Sequence, residues 1–302
     1  MTATAAQPRL VETAAEILQG IHQHRLLSTS QVHALHAPHA PISWSQGLLG
    51  QLPDLGLVHM TRLPRRPALW HLTDPGADAV ETIGDRIETR RKVLAPDAAV
   101  GALQRHTLAV NDVGIAFVQA ARERGDECGP FAWRHEIAHP LGPPPGRRRP
   151  EQLISDAVLR YQQHRDGQPR FHYRFVELDR ATRATDDLAE RLARYGRLHR
   201  RTIPGPGGRQ VRLWPKLYPT FPAVLLVLAG RRRGLLEQRR DTVLRLCAHH
   251  PDLAQSPEVE IHSCLLDDLT DRGPFAPIFH TATDPGRPAD WLGKTFEEGD
   301  DD

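Results

Sequence analysis

Aromatic and β-branched side chains alternate with polar ones from Phe171 to Val176, with Tyr173 and Phe175 between them, which is the pattern of a half-buried strand. The strand stops at the polar residues Glu177, Asp179 and Arg180. After it Leu188, Leu192, Tyr195 and Leu198 recur at spacings of four and three, predicting an amphipathic helix whose remaining surface carries Arg191, Arg194, Arg197, Arg200 and Arg201. A strand that brings two carboxylates to its C-terminal end, beside an arginine-rich helix, suits a phosphate-handling site.

The N-terminal pattern is helical. Leu10, Ala14, Ile17, Leu18 and Ile21 share one face of a helix over residues 9–23. A short helix with Val32 and Leu35 follows Ser28 or Ser30 as N-cap, and a third, with Leu48, Leu49 and Leu52, starts near Ser43. Residues 57–62 and 68–72 read as two strands joined by a basic tip, with a helix over 75–83 after them. Three helices followed by a basic-tipped hairpin predict a winged helix-turn-helix over residues 8–84. Its third helix would offer Ser43, Trp44, Ser45, Gln46 and Gln51 to DNA, and its wing Arg62, Arg65 and Arg66 to the phosphate backbone. A module of this shape also serves purely as a protein contact, and Trp44 suits a core equally well.

Residues 85–104 read as a charged connector. Beyond them the pattern predicts a helix (106–124, with Leu108, Val113, Ala116, Phe117 and Ala120 inward) and a strand near 131–137. A flexible basic loop (140–150, with Arg147, Arg148 and Arg149) precedes a strand over 153–161 that contains Asp156. The central strand and helix follow, then a flexible loop at 204–208, a buried strand (221–228), a helix (235–249, with Arg239, Arg240 and Arg245 outward) and a last strand (259–265). The segment 273–302 is Pro-rich and then acidic, the composition of a disordered tail. The succession from 105 to 272 predicts a mixed sheet flanked by helices, an α/β layer fold, so the whole chain is of the α+β / α/β class.

Charge sharpens this division. The net charge of +2 conceals nine basic and nine acidic residues in 1–104, 27 and 15 in 105–250, and 3 and 13 in 251–302. The middle block is the footprint of a protein that meets a polyanion, and the acidic end is either a solvated tail or an internal competitor for that surface. Only Lys92, Lys216 and Lys294 are lysines; arginine suits bidentate phosphate contacts, and a GC-rich genome gives the same bias. Three widely spaced cysteines, Cys128, Cys247 and Cys264, argue against a disulfide framework and for a cytoplasmic protein, and no apolar run approaches a membrane span. His22, His24, His33, His36 and His39 lack the spacing of a metal site.

Asp156 in one strand and Glu177-Leu178-Asp179 ending the next resemble a restriction-endonuclease-like core. More closely, residues 10–265 resemble the replication-relaxation family of actinobacterial and plasmid proteins. The likeness is carried by HTLAVNDV (106–113), SDAVL (155–159), VELDRAT (176–182), LARYGRL (192–198) and FPAVLLVL (221–228). The resemblance implies a DNA-binding role in plasmid or mobile-element replication or mobilisation, with relaxosome or replication proteins as partners, and leaves the oligomeric state open.

The nuclease-like resemblance further implies that Asp156 and Glu177 hold Mg²⁺, which would polarise the scissile phosphate and help generate the attacking hydroxide. The chain departs from the pattern where it carries Asp179 in place of lysine, so either Arg180, Arg183 or Lys216 would steady the phosphate charge or the third carboxylate would bind a second ion. Asp179 also suits the N-cap of the following helix, and the phase of Tyr195 makes it a core residue rather than a nucleophile. Arg191 and Arg194 join Arg147, Arg148 and Arg149 as expected DNA contacts of this domain. Three readings follow: a DNA-binding accessory of mobile elements, a Mg²⁺-dependent nickase, and a winged-helix transcriptional regulator whose second domain is catalytically dead and dimerises or holds DNA.

Overall fold

The computed structural model describes residues 6–62, 67–83, 101–142, 151–165 and 167–295. They form two compact units, Met1–Val118 with Gly129–Phe131, and Gln119–Cys128 with Ala132–Asp302.

In the first unit α1 (Ala6–His24) leads into the two-residue strand β1 (Leu27–Ser28), then α2 (Thr29–His36), α3 (Ile42–Gln51), β2 (Val58–Thr61), β3 (Leu69–Leu72) and α4 (Asp74–Ile83). The strands form an antiparallel sheet in the order β1-β3-β2, with Leu27 opposite Trp70 and Val58 opposite Leu72. β1 is too short to leave a period in the sequence. Ser28 starts α2 through a capping box: its hydroxyl accepts from the Gln31 amide at 3.2 Å, while the Gln31 side chain accepts from the Ser28 amide at 3.1 Å. The Gln31 side chain also donates to Leu108 O at 2.9 Å and Asp112 Oδ1 at 2.7 Å, and Asn111 donates to Leu26 O at 2.8 Å. These bonds fix the first half of α5 (Ala102–Arg124) to the unit, around a core that includes Ile17, Ile21, Leu35, Leu49, Val110 and Phe117.

The second unit is built on a six-stranded sheet in the order β11-β10-β9-β6-β5-β4. β4 (Trp133–Gly142), β5 (Glu151–Arg165) and β6 (Gln168–Asp179) form an antiparallel meander. α6 (Thr185–Arg200) then crosses to β9 (Ala223–Leu228), which runs parallel to β6 with Asp179 level with Leu228. α7 (Arg233–Ala248) and the one-turn α8 (Pro251–Ala254) lead to β10 (Ile261–Leu265), parallel to β9, and α9 (Leu266–Arg272) precedes the edge strand β11 (His280–Thr281). β9 is buried along its whole length, as its unbroken apolar run requires of a central parallel strand. One continuous core joins Phe175, Leu188, Leu192, Tyr195, Leu226, Leu228, Val243 and Leu244.

Several expectations give way. The 204–208 segment is no loose loop, because β7 (Thr202–Pro204) and β8 (Gln210–Arg212) pair across it, Ile203 opposite Val211, with Gly207 and Gly208 at positive φ making the turn. β5 runs on through a polar stretch to Arg165, four residues beyond the expected strand end at Tyr161, and the turn to β6 contains Gly167. α6 begins at Thr185 with Ala184 as its N-cap, so Asp179 does not cap it. Residues 273–295, which composition reads as tail, are packed, with Phe279 and Trp291 fully buried. Most of the expected connector (84–100), the basic loop from 143 to 150 and the acidic end 296–302 lie outside the described residues.

α6 approaches α8 closely enough that a methyl group on Gly196 would run into the Asp252 carbonyl. Ser256 Oγ donates to the Gly196 carbonyl at 3.1 Å, and Arg200 binds both the Asp252 carbonyl and its carboxylate. Gly196→Ala is therefore expected to lower stability by about 1–3 kcal/mol in urea unfolding, against under ~0.5 kcal/mol for the exposed Gly234→Ala, where nothing opposes the methyl group.

Candidate functional site

The two carboxylates singled out from the sequence do meet. Asp156 lies in β5 and Glu177 in β6, next to the Ala157–Val176 pair, under α6. Arg191 reaches down from α6 between them: Nε donates to Glu177 Oε2 at 2.6 Å and Nη2 to Asp156 Oδ1 at 3.2 Å, while Nη2 also meets the Ile154 carbonyl at 2.9 Å. One turn further on, Tyr195 donates its hydroxyl to Glu177 Oε1 at 2.6 Å. The Leu178 amide donates to Asp156 Oδ2 at 2.8 Å, so all four carboxylate oxygens accept from protein donors. The Glu177 side chain is 2% exposed and Arg191 and Asp156 are each 18% exposed.

Burial, reinforced by repulsion from Asp156, pushes the Glu177 carboxyl up to about 7 even against Arg191 and the Tyr195 hydroxyl. Burial, then the Glu177 charge, hold the Tyr195 hydroxyl well above its ordinary value, which keeps it a donor. Arg191 is raised: burial works against its charge, and the two carboxylates outweigh that.

Asp179, one strand repeat beyond Glu177, is held by a second arginine. Arg239 from α7 binds both its oxygens, Nη2 to Oδ1 at 3.2 Å, and also donates to the Arg183 carbonyl at 2.7 Å. The chain leaves β6 through Ala181, whose amide donates to Asp179 Oδ2 at 3.2 Å and whose φ of 55° is left-handed.

The remaining candidates scatter. Arg180 follows Asp179, half-buried. Lys216 is exposed in a 3₁₀ turn (Trp214–Lys216) ahead of the N-terminal end of β9, whereas Asp179 sits level with that strand's last residue, so Lys216 does not join the carboxylates. Arg191 and Arg194, expected to face DNA, are turned into the protein; Arg194 Nη2 lies 2.7 Å from Glu151 Oε1 and 2.7 Å from the Gln152 carbonyl. In α3, Ser43, Gln46 and Gln51 are exposed and Trp44 is half-buried. Ser45 is fully buried with its hydroxyl 3.0 Å from His33 Nδ1, so it is part of the α2–α3 packing rather than of a surface. Arg62 is exposed at the end of β2; Arg65, Arg66, Arg147, Arg148 and Arg149 lie outside the described residues.

The expected Mg²⁺ does not fit this arrangement. Both Glu177 oxygens are committed, and the guanidinium fills the space between the carboxylates that an ion would need for ligand distances of about 2.1 Å. Arg191, expected as a DNA contact, and Arg239, expected to face outward, instead hold the carboxylates. Arg191 carries a legible signal, for it stands three residues after Leu188 and four before Tyr195, within the apolar stripe, where a charge requires a buried partner. Arg239 carries none; only the fold brings α7 to the end of β6.

Taken together, the chain is an α+β protein in which a mainly helical unit with a small antiparallel sheet precedes a mixed-sheet unit, and paired arginines neutralise the carboxylates of the second. The replication-relaxation family model matches residues 18–207, and the chain belongs to that family. The matched range takes in Asp156, Glu177, Asp179, Arg191 and Tyr195. No curated protein and no solved structure matches the chain. No described helix is long and apolar enough to cross a membrane.

The raised Glu177 carboxyl has a pH signature. Between its ordinary value of 4.5 and about 7, the folded chain keeps a proton that the unfolded chain has lost, so this group favours folding increasingly as pH falls through that window. Relative to Glu177→Gln, the native chain is expected to gain on the order of 3 kcal/mol in urea unfolding between pH 7.5 and pH 4.5.

Proposed function

We propose that this chain is a DNA-binding protein of plasmid or mobile-element replication or mobilisation, in which the first unit is a winged helix that reads duplex DNA and the second is a nuclease-like core that holds DNA without cutting it. The observation that carries the first half is the order helix, short strand, two helices and an antiparallel strand pair, with Ser43, Gln46 and Gln51 exposed on α3 and Arg62 at the hairpin. Family membership supports the setting, and the excess of 27 basic over 15 acidic residues in 105–250 supports a second contact with the polyanion.

The helix–meander–helix–parallel strand order of the second unit supports kinship with restriction-endonuclease-like cores. The Arg191 bridge supports holding over nicking, because a carboxylate pair already neutralised from within is poorly disposed to recruit an ion. In the regulator reading the catalytically dead second unit dimerises or holds DNA, and that reading predicts a palindromic site.

Fluorescence anisotropy with duplex DNA carrying the element's own origin region tests this. Gln46→Ala is expected to weaken binding about tenfold and selectively, and Arg62→Ala to weaken it on all sequences while reducing the salt slope by about one unit. Unchanged affinity in both variants would remove the winged-helix reading. Supercoiled plasmid is expected to stay supercoiled with Mg²⁺; open circles that vanish with Glu177→Ala would overturn the holding role.

A further inference from the structure

The three oxygens that meet Arg191 are an unusual set for an arginine. Glu177 Oε2, Asp156 Oδ1 and the Ile154 carbonyl converge on Nε and Nη2 at 2.6, 3.2 and 2.9 Å. Two carboxylates and a backbone carbonyl are the hard-oxygen donors that otherwise surround Mg²⁺, Mn²⁺ or Ca²⁺. Asp156 and Ile154 come from one strand and Glu177 from its neighbour, so the backbone ladder brings the donors together and no loop has to fold around a ligand. Tyr195 and the Leu178 amide hold the outer oxygens, which leaves the inner ones to the Arg191 guanidinium.

We infer that Arg191 occupies the place of a divalent cation, making this centre independent of metal in the native chain, and that removing its side chain uncovers a divalent-cation site formed by Asp156, Glu177 and the Ile154 carbonyl. A guanidinium supplies one charge along two N–H directions, and a small ion supplies two charges at a point. The exchange keeps the same donor set and changes what neutralises it. The inference stands on the donor geometry alone and does not depend on the DNA-binding reading.

Mn²⁺ is the probe. Its free aqua ion gives a six-line paramagnetic resonance signal that falls on binding, and the titration compares metal-stripped native chain, Arg191→Ala and Arg191→Ala/Glu177→Gln at pH 7.5. The native chain is expected to leave the signal as buffer does and to keep its Tm. Arg191→Ala is expected to take up about one Mn²⁺ per chain, with a Tm rise of about 4 °C at well-saturating metal, both lost in the double variant. A native chain that binds about one Mn²⁺, abolished by Glu177→Gln, would overturn the inference, as would a folded Arg191→Ala that binds none. If Arg191→Ala does not fold, the native chain and Glu177→Gln decide between them: equal silence supports the inference, and uptake by the native chain alone overturns it.

Discussion

One guanidinium placed between two carboxylates sets the constraint on the second unit. A buried carboxylate without a partner costs several kcal/mol, and Glu177 sits on a strand covered by α6 with only 2% of its side chain exposed. Arg191 answers that constraint from α6 and at the same time binds Asp156 and the Ile154 carbonyl on β5. The helix is thereby keyed to two strands at once, in a way that its apolar stripe alone would not ensure, since leucines tolerate small slips that a bridging arginine does not. Arg239 does the same for α7 through Asp179 at the end of β6. Each of the two long helices of the sheet unit thus delivers an arginine to a carboxylate of one strand, and that strand is where the antiparallel meander meets the parallel pair.

The first unit is organised by the same kind of device with neutral groups. Gln31 closes the capping box of α2 and reaches Asp112 and the Leu108 carbonyl on α5, while Asn111 reaches the Leu26 carbonyl. Burial raises the Asp112 carboxyl, against the Gln31 hydrogen bond. Asn111 and Asp112 of the HTLAVNDV stretch therefore have a structural explanation: they fasten α5 to α2 and to the Leu26 carbonyl ahead of β1, and no direct contact with DNA is needed to account for them.

Most of the architecture was legible because periodicity reports burial. The alternation before Glu177, the stripe of α6, the unbroken apolar run of β9 and the cap at Ser28 each have a direct local cause, and each element appears where its pattern lies. What escaped had no local cause. β1 and β11 are two residues long, the β7–β8 pair depends on glycines within a segment that reads as loop, and residues 273–295 are held by Phe279 and Trp291, two aromatics in a Pro-rich background. The site was half legible. Asp156 and Glu177 were visible as carboxylates embedded in strands, but an arginine-rich helix reads as a solvated or DNA-facing surface until packing shows which of its arginines turn inward. Arg191 is turned inward by its phase with Leu188 and Tyr195, whereas Lys216 and Asp179 are separated by the length of β9.

The central claim is that Arg191 and Glu177 act as one unit joining α6 to the sheet, and a double-mutant cycle in urea unfolding at pH 7.5 measures it most directly. With Arg191→Met, Glu177→Gln and the double variant, either single change is expected to cost about 3 kcal/mol, because it strands the partner, and the double variant to cost at least ~2 kcal/mol less than the sum. Costs that add to within about 0.5 kcal/mol would mean that the two side chains are independent, and the bridge would not be what holds this centre together.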